Sequence, residues 1–141
     1  MRHPVSTILA LLALTATLSL AACNTFEGIS SEDVAGTPTV YAKVIHEPNP
    51  LLLGHWRRSA PAQFSKPWAF DYCLVKKGDR YAVFYFYDSH MKNAFKGWAD
   101  FTIDGDSMTS GVDGTTFAVE DGKVIMQYPG RTDKYHMVQG E

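Results

Sequence analysis

The chain has only two cysteines, Cys23 and Cys73, in 141 residues. A framework of several disulfides, the usual staple of small exported domains, is therefore excluded. A basic excess is lacking too: 13 Lys and Arg stand against 15 Asp and Glu, a formal charge of −2 at pH 7. That balance argues against an electropositive nucleic-acid face and against electrostatic docking to anionic lipid. No apolar run reaches the roughly 20 residues that span a bilayer as a helix. Helix signals are nearly absent after residue 50, and there is no internal repeat or low-complexity tract.

What is present begins with a leader. Met1-Arg2-His3 is a short positive start, Val5 to Leu20 is apolar apart from Ser and Thr, and Ala21-Ala22 are small residues ahead of a cleavage point. Leu20-Ala21-Ala22-Cys23 resembles the lipobox of bacterial lipoproteins at all four positions. The resemblance implies that residues 1–22 are a signal peptide. It also implies a diacylglyceryl thioether on Cys23, with a further acyl group on its amine. One acyl chain gives only reversible membrane attachment, whereas several make it effectively permanent. Asn24 follows the cysteine. In enteric lipoproteins Asp at that place marks inner-membrane retention, so Asn favours the outer membrane. The expected address is the cell envelope, with the domain facing the periplasm or the cell surface.

Without the leader the chain has 119 residues, one domain's worth, with 12 basic residues against 15 acidic. With Cys23 lipidated, Cys73 has no partner in the chain and stability must come from elsewhere. All 3 Trp, 7 Tyr and 8 Phe lie after Cys23. A ring burying about 150–250 Å² contributes up to about 4–6 kcal/mol, while ordering a residue costs about 1.5 kcal/mol. One buried ring thus offsets several ordered residues.

Residues 23–50 read as the lipidated N-terminus and a flexible tether: Ser30-Ser31-Glu32-Asp33 and Ala35-Gly36-Thr37-Pro38 are polar or turn-forming, and Pro48-Asn49-Pro50 closes the segment. Within it Thr39 to Ile45 alternates like a strand. Residues 51–141 read as eight short strands: Leu51–Arg58, Phe70–Lys76, Arg80–Tyr87, Phe95–Ile103, Ser107–Val112, Thr115–Val119, Lys123–Tyr128 and Asp133–Val138. Gly-containing turns join most of them, and Asp113-Gly114 is a two-residue hairpin signal. Eight strands with no covering helix predict an all-β fold, an antiparallel up-and-down barrel whose closure removes exposed edges; a two-sheet sandwich is the alternative. Phe95, Ala99, Phe101 and Ile103 share one face, as do Phe117 and Val119, and Val124, Met126 and Tyr128. The strand Tyr81 to Tyr87 is apolar on both faces, so its outer side requires a cover: the tether, a partner or the membrane surface.

Leu53-Gly54-His55-Trp56 resembles the Gly-x-Trp opening of lipocalins and related calycin barrels, and the Asp-Gly hairpins from Asp104 to Gly130 resemble small bacterial members. The resemblance covers about Leu51 to Val138. It implies that Trp56 plugs the barrel base and that Arg131 or Lys134 lies across it. The strands are short for a ligand carrier, and an eight-stranded interior is just wide enough for its own side chains to fill. Membrane-bound lysozyme inhibitors are also small lipoprotein barrels and use a Ser-Gly-x-x-Tyr loop. Here Ser110-Gly111 is followed by Val112-Asp113-Gly114, without the tyrosine.

No residue constellation points to catalysis. His46, His55, His90 and His136 lack metal-ligand spacing, His90-Met91 and His136-Met137 are weak copper signals, and Asp88-Ser89-His90 has no nucleophile-elbow pattern. The reading is a non-enzymatic binding module without metal or cofactor and without nucleic acid as partner. A small apolar ligand is expected at an open end lined by Trp56, Tyr85, Phe101 and Tyr128. The alternative is an envelope protein bound by an exposed aromatic surface of Tyr41, Tyr81, Tyr85 and Trp98. Arg57-Arg58 read as solvated, and Cys73 as a small buried hydrophobe.

Overall fold

The computed structural model describes residues 28–60, 68–89 and 92–140. Cys23 and the leader lie outside them, as do His90 and Met91. Within them the fold is all-β, with one short helix, α1 (Ser31–Ala35), and one 3-10 turn at Pro50–Leu52. No described helix is long and apolar enough to cross a membrane.

Eleven strands are described. β1 (Lys43–His46) precedes the turn, and β2 (Gly54–Ala60), β3 (Trp68–Lys77), β4 (Arg80–Ser89) and β5 (Lys92–Ala99) follow it. Then come β6 (Phe101–Asp104), β7 (Ser107–Ser110), β8 (Thr116–Glu120), β9 (Lys123–Gln127), β10 (Lys134–His136) and β11 (Val138–Gln139). They form two sheets, ordered β1-β6-β7-β8-β9-β10 and β11-β2-β3-β4-β5. All ladders are antiparallel except β1 with β6.

The ladders do not close into the single barrel expected from the sequence. Two of the eight expected strands change sheet midway. The strand expected over Phe95–Ile103 breaks at Asp100, whose carbonyl accepts the Gly111 N–H at 2.7 Å, so the backbone bonds across to the turn after β7. The one expected over Asp133–Val138 breaks at Met137, whose N–H donates to Val124 O at 2.8 Å while Val138 pairs with Arg57. The first expected strand also starts late. Asn49 caps the 3-10 turn by accepting the Leu51 N–H at 2.9 Å, and Leu52 is buried there. The Asp113-Gly114 signal yields a five-residue loop, 111–115, because the Asp113 carboxylate turns back to accept the Thr115 N–H and hydroxyl.

Side-chain alternation was the reliable part of the pattern. Phe70, Tyr72 and Leu74 from β3 lie beside Tyr81, Val83, Tyr85 and Tyr87 of the neighbouring β4 on one face of their sheet, and pack with Ala99, Phe101, Ile103, Phe117, Val124 and Met126 in one core between the sheets. Tyr72 stays neutral there: burial, then Cys73, pushes its phenol well above the ordinary range, and its hydroxyl donates to Leu52 O at 3.0 Å.

The outer face of β3, β4 and β5 forms a second apolar cluster of Ala69, Cys73, Phe84 and Phe86, flanked by Val75 and Trp98. Its cover is the segment expected to be a loose tether. Ile29 is buried in this cluster and Val34 packs on it. α1 opens with a capping box in which Ser30 and Asp33 bond each other's backbone N–H. Lys77 Nζ donates to Val34 O at 2.8 Å and Lys96 Nζ to Gly28 O at 3.2 Å. Gly28 lies against the fully buried Asp71, whose Oδ2 is hydrogen-bonded to His55 Nε2 at 3.0 Å. The Gly140 N–H donates to His55 O at 2.8 Å, so both ends of the described chain meet at β2 and β3. Further along, Ala42 N–H bonds Tyr81 O, and β1 covers the edge of β6. Residues 28–46 are therefore built onto the domain.

Candidate functional site

β2 alternates, with His55 and Arg57 on the outer face beside Cys73 and Asp71. That puts Trp56 and Arg58 inward, opposite Tyr72 and Phe70. Arg58 is therefore half-buried rather than the solvated residue the sequence suggested. Its guanidinium carbon sits 6.0 Å from the Trp68 ring centroid and 5.4 Å from that of Tyr135, within reach of a cation–π attraction. Its Nε is buried with no hydrogen-bond partner among the described residues. No ion pair to a described carboxylate compensates its charge.

Around Arg58 the rings form one connected group at one end of the core. Trp68 meets Phe70 and Tyr135 edge-on at 5.9 and 6.1 Å. Phe70 stacks on Tyr87 at 5.7 Å and meets Tyr128 at 5.3 Å; Tyr87 stacks on Phe95 at 5.9 Å. The phenol of Tyr128 is pushed up to about 12 by burial, then by Tyr135 and Asp113, with Arg58 and Arg131 opposing. Tyr87 is raised by burial and by Asp113. Asp113 closes this end by accepting the Tyr85 hydroxyl at 3.1 Å.

Comparison with known protein families, curated proteins and solved structures finds no match to this chain.

The four residues expected to line a ligand site are distributed through the core. Tyr85 and Phe101 are fully buried and touch edge-on at 5.3 Å, and Tyr85 also meets Tyr87 of the group around Arg58 at 5.4 Å. Trp56 packs against the core, with its indole N–H donating to Leu53 O at 3.1 Å. Tyr128 belongs to the group around Arg58. Of the cations expected across Trp56, Lys134 is engaged elsewhere, its Nζ bonding both Glu120 carboxylate oxygens at 2.9 Å, and Arg131 is exposed. The expected aromatic surface is dispersed as well. Tyr81 and Tyr85 are buried, Trp98 packs against the cluster under Ile29, and Tyr41 lies beneath the Arg80 guanidinium at 3.9 Å.

Sequence reasoning missed Arg58, Trp68, Tyr87, Asp113 and Tyr135. The signal for Arg58 was its strand phase. Residues 54, 56 and 58 alternate together, so an inward Trp56 implies an inward Arg58. Among the described residues no three His, Cys, Asp or Glu side chains gather where they could hold a metal ion. Cys73 is buried beneath Ile29, and burial pushes its thiol up against the opposing pull of Lys77, so the protonated, unreactive form is favoured.

Proposed function

We propose that the protein is a lipid-anchored envelope protein, held by Cys23, whose domain is a non-catalytic binding module. Its ligand is small, with an apolar or aromatic body and one acidic group. We read the two sheets, joined through Asp100 and Met137, as a flattened lipocalin-like barrel, and the outer membrane as its site. The observation that carries the ligand reading is Arg58. Arg58 is half-buried with its Nε turned into an aromatic interior, and a cation so placed with no described carboxylate beside it carries a desolvation cost. An acid group presented to its planar fork relieves that cost through charge-assisted hydrogen bonds, while Trp68, Tyr87, Tyr128 and Tyr135 offer ring surface to the rest of the ligand. The alternative, an envelope-protein partner held by an aromatic face, has no supporting observation, because the rings it needs are buried or covered.

The experiment is a fluorescence titration with 1-anilinonaphthalene-8-sulfonate, an aromatic body carrying one acid group. Saturable binding to the folded protein is expected, weakened about tenfold or more in Arg58→Met, since a hydrogen bond to a charged group contributes about 1.5–3 kcal/mol. Equal binding by both proteins contradicts the assignment.

A further inference from the structure

The docked segment changes what a lipid on Cys23 implies. A free tether to residue 50 lets a domain drift in any orientation, but the chain is fixed to the domain from Gly28, five residues after Cys23. Five extended residues span at most about 18 Å. Gly28 lies on the outer face of the second sheet, over Asp71, with its carbonyl bound by Lys96 and the Arg57 guanidinium close by. Arg57 also neighbours Arg58 along β2, so the chain leaves the domain beside the aromatic end, on the opposite face of the sheet.

We propose that the outer face of β2–β5 around Gly28 is the bilayer-facing surface of the domain, held there by a five-residue leash. The proposal rests on lipidation of Cys23 and is independent of the ligand reading. Arg57 and Lys96 stand where the leash leaves, but Lys96 is paired with Asp33 at 3.1 Å, so the short leash and not lipid charge sets the orientation. The β6–β9 sheet faces away. The aromatic end lies near the same bilayer, within reach of an amphiphile that partitions into it.

The test uses the mature protein extracted from membranes and reconstituted into phosphatidylethanolamine–phosphatidylglycerol vesicles carrying a headgroup-linked energy acceptor. A donor dye is placed on Ala94→Cys or on Thr109→Cys, both exposed positions, in a Cys73→Ala background. Ala94 shares the outer face with Lys96, and Thr109 lies on the other sheet, opposite in phase to the buried Met108. Energy transfer several-fold stronger from position 94 than from 109 is expected. Ile29→Asp, which frees the segment, is expected to abolish the difference. Equal transfer from both positions, with acyl chains on Cys23 verified by mass, overturns the surface assignment and leaves the anchor standing. A difference that persists in Ile29→Asp overturns the leash. A Cys23 without acyl chains overturns the anchored reading and this inference with it.

Discussion

Gly28 and Asp71 are packed so closely that a methyl group on Gly28 would lie 2.6 Å from Asp71 Oδ2. Asp71 is fully buried and bonded to His55, so it cannot swing aside without breaking that contact. Gly28→Ala is therefore expected to loosen residues 28–36. Overpacking of this kind costs about 1–3 kcal/mol. Chemical denaturation measures the loss, and faster amide exchange confined to residues 28–36 locates it. Unchanged exchange there contradicts the close contact.

Arg58→Met separates stability from binding. Removing a half-buried cation that no described carboxylate pairs with is expected to leave the thermal midpoint unchanged or higher, because a flexible apolar side chain fills the same space without the cost of partly desolvating a charge. Acidic probes are expected to bind more weakly. A large drop in midpoint shows instead that Arg58 is a structural residue.

Much of this was legible in the sequence, but not the two places where the chain changes sheet. Phe95, Ala99, Phe101 and Ile103 keep one phase through Asp100, so alternation continues while the hydrogen-bond partner switches from β4 to β7. Met137 hides in the same way, keeping its core side between β10 and β11. The N-terminal cover carried a weak signal: Ile29 and Val34 are two apolar residues among Ser, Glu and Asp, and α1 is only five residues long. The sequence posed the need for a cover through the two-faced strand β4, and tertiary packing supplied it. Arg58 was misread because residue type was weighed above strand phase.

Tyr85 and Phe101 separate a polar from an apolar contribution to the same contact. Phe101→Ala opens a cavity in a fully buried site and is expected to cost about 3–5 kcal/mol. Tyr85→Phe keeps the ring and removes one hydrogen bond to the Asp113 carboxylate, an expected loss of about 1.5–3 kcal/mol. Denaturant midpoints distinguish the two, and comparable losses contradict the packing described.

Alkali is expected to unfold the domain through its tyrosines. A phenol whose folded value is raised stabilises the fold below its ordinary value near 10, and that stability is lost as pH rises through the folded value. For Tyr128 the window runs from about 10 to about 12. Ultraviolet titration should show phenols ionising together with loss of structure. Smooth ionisation of every tyrosine near 10 in the folded state contradicts the burial.

Acid acts on the cover. Burial disfavours the charged form of Asp33, but the Ser30 N–H and hydroxyl and the Lys96 ammonium outweigh it and hold the carboxyl below its ordinary value. Its contribution is complete above the ordinary carboxylate range and is lost as pH falls through that lowered value. Residues 28–36 are expected to exchange faster below that range, and Asp33→Asn to show the fast exchange already at neutral pH.

Native mass spectrometry of the protein taken directly from the cell envelope tests the anchored cysteine and the binding domain at once. The predicted spectrum shows a chain beginning at Cys23 with acyl chains attached, together with a non-covalent adduct that organic extraction releases as an acidic amphiphile. A chain that retains its leader or lacks acyl groups, and carries no bound small molecule, would contradict it.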